Sequence, residues 1–169
     1  MSQEPRVLLT GLMGCGKSTV GTALAKSMGA RYLDNDAELE AQTGVGLLQL
    51  AERGKDVLHA AESRQMRSLA DDPGPWVAGA AASTGDRPDD CAFARDNFFV
   101  VYLHVEPEEL AVRVGRNPSR PWVVDDALTV ITDMYRRRDS AFRSAATLVV
   151  DGSQSPSAIV EQIVGALPR

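Results

Sequence analysis

Cysteine, lysine and aromatic side chains are scarce in this chain, and each scarcity narrows what it can be. Its two cysteines, Cys15 and Cys91, lie far apart and offer neither a metal-type spacing nor a disulfide framework, which fits a reducing compartment and makes the cytoplasm the expected location. Lysine occurs only at positions 17, 26 and 55, so arginine carries nearly all the positive charge and supplies planar donors suited to phosphate or carboxylate. The 18 basic residues are outnumbered by 23 acidic ones, giving a net charge of −5. That balance, without a basic tail, argues against a nucleic-acid surface, which draws on clustered Lys and Arg. No apolar run is long enough for a membrane span or a leader; the one near the start, over residues 7–13, is broken by Thr10 and Gly11. No membrane partner or targeting segment is expected. What is present is an ordinary globular composition, 44% hydrophobic and 24% charged over 169 residues. It implies one domain, 1–169, with a core large enough to need no disulfide or structural metal.

Apolar periodicity lays out the elements. Residues 6–10 read as a strand that runs into a glycine-rich turn, and residues 17–28 as a helix on which Val20, Ala23, Leu24 and Met28 recur at helical spacing. A short strand over 31–33 precedes a helix over 36–43 that Gly44 ends, and helices over 46–53 and 55–70 are separated by Gly54. After the stop Asp72-Pro-Gly-Pro75, residues 76–80 form a third strand, and the small, polar, breaker-rich stretch 81–90 reads as a mobile loop. Residues 98–105 (FFVVYLHV) are the strongest strand, a continuous run of the kind buried on both faces of a parallel sheet. Pro107 opens a helix to residue 114, residues 115–126 form a loop, 127–143 a helix, 147–150 a fifth strand and 155–167 a closing helix. Strands alternating with helices define the α/β class, here a five-stranded parallel sheet wrapped by helices. Leu9, Val20, Leu24, Val100, Leu103, Val149 and Ile163 are the expected core.

Gly11-Leu-Met-Gly14-Cys15-Gly16-Lys17-Ser18 satisfies the pattern G-x-x-x-x-G-K-[ST] between a strand and a helix. In that context the glycines let the backbone curl, so that successive N–H groups and the positive end of the helix, at Thr19 and before it, face an anion. Lys17 then reaches the β- and γ-phosphates of a nucleotide and Ser18 ligates Mg²⁺. Cys15 fits as a small residue in the loop.

A phosphate loop is shared by many activities, and the residues that discriminate lie further on. Leu33-Asp34-Asn35-Asp36, with Glu38, Glu40 and Thr43-Gly44, resembles the Asp-x-Asp segment of shikimate kinases. Gly54 and Glu62, Val101-Tyr102-Leu103, Arg113 and Asn117, Arg120-Pro121, Arg138 and Phe142, Val150-Asp151 and Ser155-Pro156 extend the resemblance over essentially the whole chain. It implies a single-domain P-loop kinase with a five-stranded parallel sheet, MgATP, a mobile lid at about 115–126, and phosphate transfer to a small hydroxylated acid. By the same resemblance Asp36 hydrogen-bonds the acceptor hydroxyl as candidate base, Asp34 sits near Mg²⁺ through water, Arg113 lies close to the nucleotide, and Arg120 swings over the γ-phosphate. For Asp34 and Asp36 the competing role is a helix N-cap. Arg138 is the candidate for a substrate carboxylate, since a guanidinium fork matches one bidentately. Arg116, Arg136 and Arg137 are taken as solvated surface charges, and Trp122 as a loop aromatic.

Two departures fall on the acceptor side. Where the family grips the substrate carboxylate with an arginine after a Gly-Glu pair, this chain has Gly54-Lys-Asp-Val-Leu-His59, so His59 stands in the arginine's place. An ordinary histidine is mostly neutral near neutral pH. Where the family has Gly-Gly-Gly after the third strand, this chain has Gly79-Ala80-Ala81-Ala82, whose methyl groups either fill the pocket or forbid a positive φ. The expected substrate-binding set is Asp36, His59, Gly79, Ala80, Ala81 and Arg138. The expected activity is that of a shikimate kinase or a shikimate kinase-like enzyme acting as a monomer. A kinase for another small hydroxylated metabolite and a non-catalytic nucleotide-binding paralogue stay open.

Overall fold

A computed structural model describes residues 5–115 and 126–168. The elements run β1 (Arg6–Thr10), α1 (Lys17–Met28), β2 (Arg31–Leu33), α2 (Asn35–Thr43), α3 (Leu47–Glu52), α4 (Lys55–Ser68), β3 (Trp76–Gly79), α5 (Pro88–Asn97), β4 (Phe99–His104), α6 (Pro107–Gly115), α7 (Ala127–Ala145), β5 (Leu148–Asp151) and α8 (Pro156–Ala166). Two short 3₁₀ turns, Leu69–Asp71 and Ala82–Asp86, complete them. All five strands pair in parallel in the order β2-β3-β1-β4-β5. β1 is therefore central and β3 lies between β1 and β2, so the ends of β1, β2 and β3 open on one side of the sheet's carboxyl edge. In an open α/β sheet ligands bind outside that edge.

The core forms on both faces of the sheet, as the apolar runs of β1 and β4 require. On one face Val7, Leu9, Val101 and Leu103 pack with Leu24, Ile131, Phe142 and Ile163 from the helices; on the other Leu8, Trp76 and Val100 pack with Met66 and Phe98. A third, smaller cluster of Leu39, Leu50 and Ala61 ties α2, α3 and α4 together beside the edge where β2 ends. Of the expected core, Val149 is the exception: it is 41% exposed, because on the edge strand β5 its side chain points to the face opposite that of buried Val150.

The largest correction concerns residues 81–90. They are not a loop but the Ala82–Asp86 turn and the start of α5, with Thr84, Asp90 and Cys91 buried. Pro88 occupies the first turn of α5 with Asp89 and Asp90 beside it, the proline and acidic pair that a helix start favours. The expected lid, together with Arg116, Asn117, Arg120 and Trp122, lies outside the described residues, save at its ends. No described helix is long and apolar enough to cross a membrane.

Candidate active site

β1 delivers the chain into the phosphate loop with Thr10 fixed by its hydroxyl bond to Val101 O at 3.2 Å. Gly11, Gly14 and Gly16 all take positive φ, at 142°, 81° and 101°. At Gly11 the close approach is as decisive as the dihedral: a Cβ there would lie 2.7 Å from Cys15 Sγ and 2.9 Å from Leu103 O. Cys15 is buried under the loop, and Lys17 Nζ donates to Gly11 O at 2.8 Å and Leu12 O at 3.1 Å, with Cys15 Sγ 3.7 Å away. Ser18 and Thr19 stand exposed on the first turn of α1. Arg113, on α6, ties the loop to the strand ends beyond it: it donates to Gly14 O at 3.2 Å and Gly152 O at 3.1 Å and pairs with Glu109.

β2 ends at Leu33, and the next residues turn into α2 beside the loop. Asp34 is the N-cap, accepting from the backbone N–H of Asp36 at 3.1 Å and of Ala37 at 3.3 Å. Its other oxygen accepts from Ser18 Oγ at 3.0 Å. Capping thus falls on Asp34, and Asp36 sits in the first turn of α2. The Asp36 carboxylate accepts from Asn35 Nδ2 at 3.0 Å and faces the same cavity as Lys17 and Ser18. Tyr32 lines this cavity too; burial, with the nearby Asp34 charge, pushes its hydroxyl up to about 12 despite a hydrogen bond with Ser18. Hydroxyl and carboxylate oxygens converging at the mouth of a phosphate loop fit Mg²⁺, which takes few protein ligands and completes its shell with phosphate and water. Among the described residues no cluster of three or more His, Cys, Asp or Glu offers an all-protein metal cage.

The cavity, of about 450 Å³, continues from the loop past Gly79, Ala80, Ala81, Ala82 and Ser83 to α4 and α7. No described residue other than glycine has positive φ, so the alanines cost no backbone strain. Their methyl groups instead form the wall, with Ala80 and Ala81 buried. From α4 come Lys55, His59 and Glu62, and from α7 Met134 and Arg138. Burial holds His59 below the usual histidine range, and the Arg87, Lys55 and Arg138 cations lower it further against the opposing pull of Asp86. His59 is therefore neutral at neutral pH and does not replace an arginine's charge.

Sequence reasoning missed the polar network behind this wall. Glu62, 5% exposed, accepts from Ser83 Oγ at 2.6 Å and Arg87 Nη1 at 3.4 Å. Burial raises its carboxyl, and these two partners counter only part of the effect. Arg87 Nε donates to Asp90 at 2.5 Å, and Ser63 and Arg67 donate to the other oxygen of Asp90 at 2.7 and 2.9 Å. Burial pushes the Asp90 carboxyl up, but the Arg87 and Ser63 hydrogen bonds outweigh it and hold the group below its usual range. Arg138 is 5% exposed, and its Nε and Nη2 both donate to Asp86 Oδ2, at 2.9 and 2.6 Å. Arg137, expected as a solvated charge, donates to Asp86 Oδ1 at 3.2 Å and to Asp133 at 3.0 Å, while Arg136 is exposed as expected.

The structure thus brings Lys17, Ser18, Asp34, Asp36, His59, Gly79, Ala80, Ala81 and Arg138 to one cavity and sets Arg113 against its phosphate loop. A P-loop at the central strand, with a carboxylate facing it from the second strand's end and a largely apolar pocket that holds Arg138 beyond, is the arrangement of a P-loop small-molecule kinase. The shikimate kinase family model matches residues 13–168, and the chain belongs to that family. A shikimate kinase of Thermobifida fusca is 35% identical over 172 residues, covering 99% of this chain and 98% of that protein. One of Thiobacillus denitrificans is 33% identical, covering 99% and 92%. The solved shikimate kinase of Acinetobacter baumannii in complex with shikimate superposes with a TM-score of 0.88 at 26% identity, covering 95% of this chain and 91% of that one. A gluconokinase of Sinorhizobium meliloti, at 18% identity and a TM-score of 0.66, shares the fold alone. The protein is accordingly an ATP-dependent small-molecule kinase. Neither a different acceptor nor a non-catalytic role draws support from these likenesses.

Proposed function

We propose that this enzyme transfers the γ-phosphoryl group of ATP to a ring hydroxyl of shikimate, releasing ADP. The observation that carries the reading is that Asp36, Lys17 and Arg138 line one cavity, so a base, a phosphate-binding cation and a carboxylate-binding cation face a single small acceptor. In phosphoryl transfer the protein contributes chiefly position and charge. The backbone N–H groups of residues 11–18 and the Lys17 ammonium hold the phosphates; Arg113 braces the loop from behind through Gly14 O. Asp36 accepts the hydrogen bond of the acceptor hydroxyl, orients its oxygen in line with the γ-phosphorus, and takes the proton as the O–P bond forms and the bond to the β,γ-bridging oxygen breaks. Arg138 anchors the acceptor's carboxylate at the other end of the cavity, and Ala80 and Ala81 bound its ring. Arg120, outside the described residues, is assigned to the γ-phosphate in the closed enzyme. Mg²⁺, held by Ser18 Oγ and through water by Asp34, would supply charge neutralisation on the β- and γ-phosphates.

Coupled measurement of ADP release with ATP, Mg²⁺ and shikimate tests the reading. Shikimate-dependent release is expected, and Lys17→Ala or Asp36→Ala should lower kcat at least about a hundredfold, the usual scale for a positioned acid–base or charge-stabilising group. Wild-type protein that binds ATP yet releases no ADP with shikimate overturns it. Full turnover by Asp36→Ala removes the assignment of the base.

A further inference from the structure

We infer that Asp86 is a specificity-determining residue: it lowers the enzyme's hold on an acceptor's carboxylate by keeping Arg138 engaged with a carboxylate of the chain itself. This rests on the acceptor reading given under the proposed function. Three described cations line the cavity, Lys17, Lys55 and Arg138. Lys17 is committed to the phosphate loop, where it donates to Gly11 O and Leu12 O, and Lys55 is exposed at the start of α4. Arg138 alone is buried, and it offers a guanidinium fork in a water-poor wall, where a carboxylate is held most strongly.

That fork is already in use. Nε and Nη2, one of its bidentate edges, converge on Asp86 Oδ2. The contact is built in rather than casual. The Ala82–Asp86 turn lies so close to α7 that a Cβ on Gly85 would be 2.7 Å from Arg138 Cβ and 3.0 Å from Phe142 Cζ. The turn is fastened at its far side as well, because the next residue, Arg87, is locked to Glu62, Ser83 and Asp90. Asp86 therefore cannot swing away without moving this network. An acceptor carboxylate entering the cavity either displaces Asp86 or takes the other edge of the guanidinium with a like charge beside it. Both routes weaken anion binding, and neither touches an acceptor of the same shape without charge. His59, held neutral, offers no compensating cation.

The test compares shikimate with its uncharged methyl ester in ADP-release kinetics, in wild-type protein and in Asp86→Asn. Wild type should discriminate acid from ester weakly, by about threefold or less in KM. Asp86→Asn should lower the shikimate KM about tenfold, the worth of restoring one charge-assisted contact, leave the ester KM nearly unmoved, and act on KM rather than kcat. Asp86→Glu, which keeps the charge, should restore wild-type discrimination. An acid-to-ester ratio unchanged in Asp86→Asn, or a higher shikimate KM, overturns the inference, the latter by making Asp86 the residue that aims Arg138 at its acceptor. If Asp86→Asn does not fold, the wild-type ratio decides: an ester bound about a hundredfold or more worse than the acid overturns it equally. Absence of any shikimate-dependent ADP release in wild type refutes the acceptor reading itself, whereas an active enzyme with an indifferent Asp86→Asn refutes only this inference.

Discussion

Replacing Gly85 by alanine is the sharpest steric probe of the acceptor wall. Gly85 does not occupy the left-handed region, so alanine brings no dihedral penalty, and the whole effect comes from one methyl group. That methyl would be 2.7 Å from Arg138 Cβ, 3.0 Å from Arg138 Cγ and 3.0 Å from Phe142 Cζ. Both neighbouring side chains are fixed: Arg138 and Phe142 are buried, and Phe142 packs at a tilt against Tyr102 with ring centroids 5.3 Å apart. The turn must lift off α7, and overpacking of this kind costs about 1–3 kcal/mol. For a chain of this size each kcal/mol lowers Tm by roughly 2–4 °C, so a loss of about 2–12 °C is expected in calorimetry. The same lift pulls Asp86 off Arg138, so acceptor KM should change while ATP KM holds. Gly165→Ala is the control: nothing lies within 4 Å of its Cβ position in α8, and alanine there should raise stability by about 0.5–1 kcal/mol. A Gly85→Ala protein with wild-type Tm and acceptor KM would refute the argument that the turn is clamped to α7.

Other consequences are as direct. Asp34→Ala removes both an N-cap and the partner of Ser18, so it should lower stability by about 1 kcal/mol and raise the Mg²⁺ concentration needed for half-maximal turnover, read by thermal melts and Mg²⁺ titration. His59→Arg adds a permanent cation to the acceptor cavity and should lower the shikimate KM, with ATP KM unchanged; no change in steady-state kinetics would make the substitution at this position neutral. Asp86 and Asp90 have carboxyls held below their ordinary value of 3.8. Their contribution to stability is full above that value and lost as pH falls below it, and Asp90→Asn should flatten that acid limb in denaturant melts. His59, lowered in the folded state, contributes stability that is present above 6.5 and lost as pH falls below it.

Lys17, Ser18 and the glycines of their loop are legible in one short pattern. Asp34, Asp36, His59 and Arg138 are legible only through the resemblance to shikimate kinases, since no local pattern marks them out. Asp86 and Arg87 escaped because their partners are distant in sequence: Arg138 lies 52 residues from Asp86, and Glu62 lies 25 from Arg87. The Gly, Ser and Pro content of the stretch around them reads as a loop, although Pro88 with Asp89 and Asp90 is also a helix-start signature, and packing against α7 makes it ordered. An apolar run makes Val149 an expected core residue, but it does not say which strand ends the sheet or which face each side chain takes. The backbone conformation of the alanines after β3 was open in the sequence between a filled wall and a strained turn, and the absence of positive φ there settles it for the wall.

The central place of β1 also governs when this protein can come into being. The strand that carries the phosphate loop is the first made, yet its neighbours are β3 and β4, and the hydroxyl of Thr10 reaches a carbonyl 91 residues downstream. A ribosome that has released only the first half of the chain therefore exposes a bare apolar ribbon with no partner on its β4 side. Such distant parallel pairing slows assembly and leaves nascent chains prone to sticking together, so the nucleotide cradle is encoded first and completed only after synthesis has passed β4.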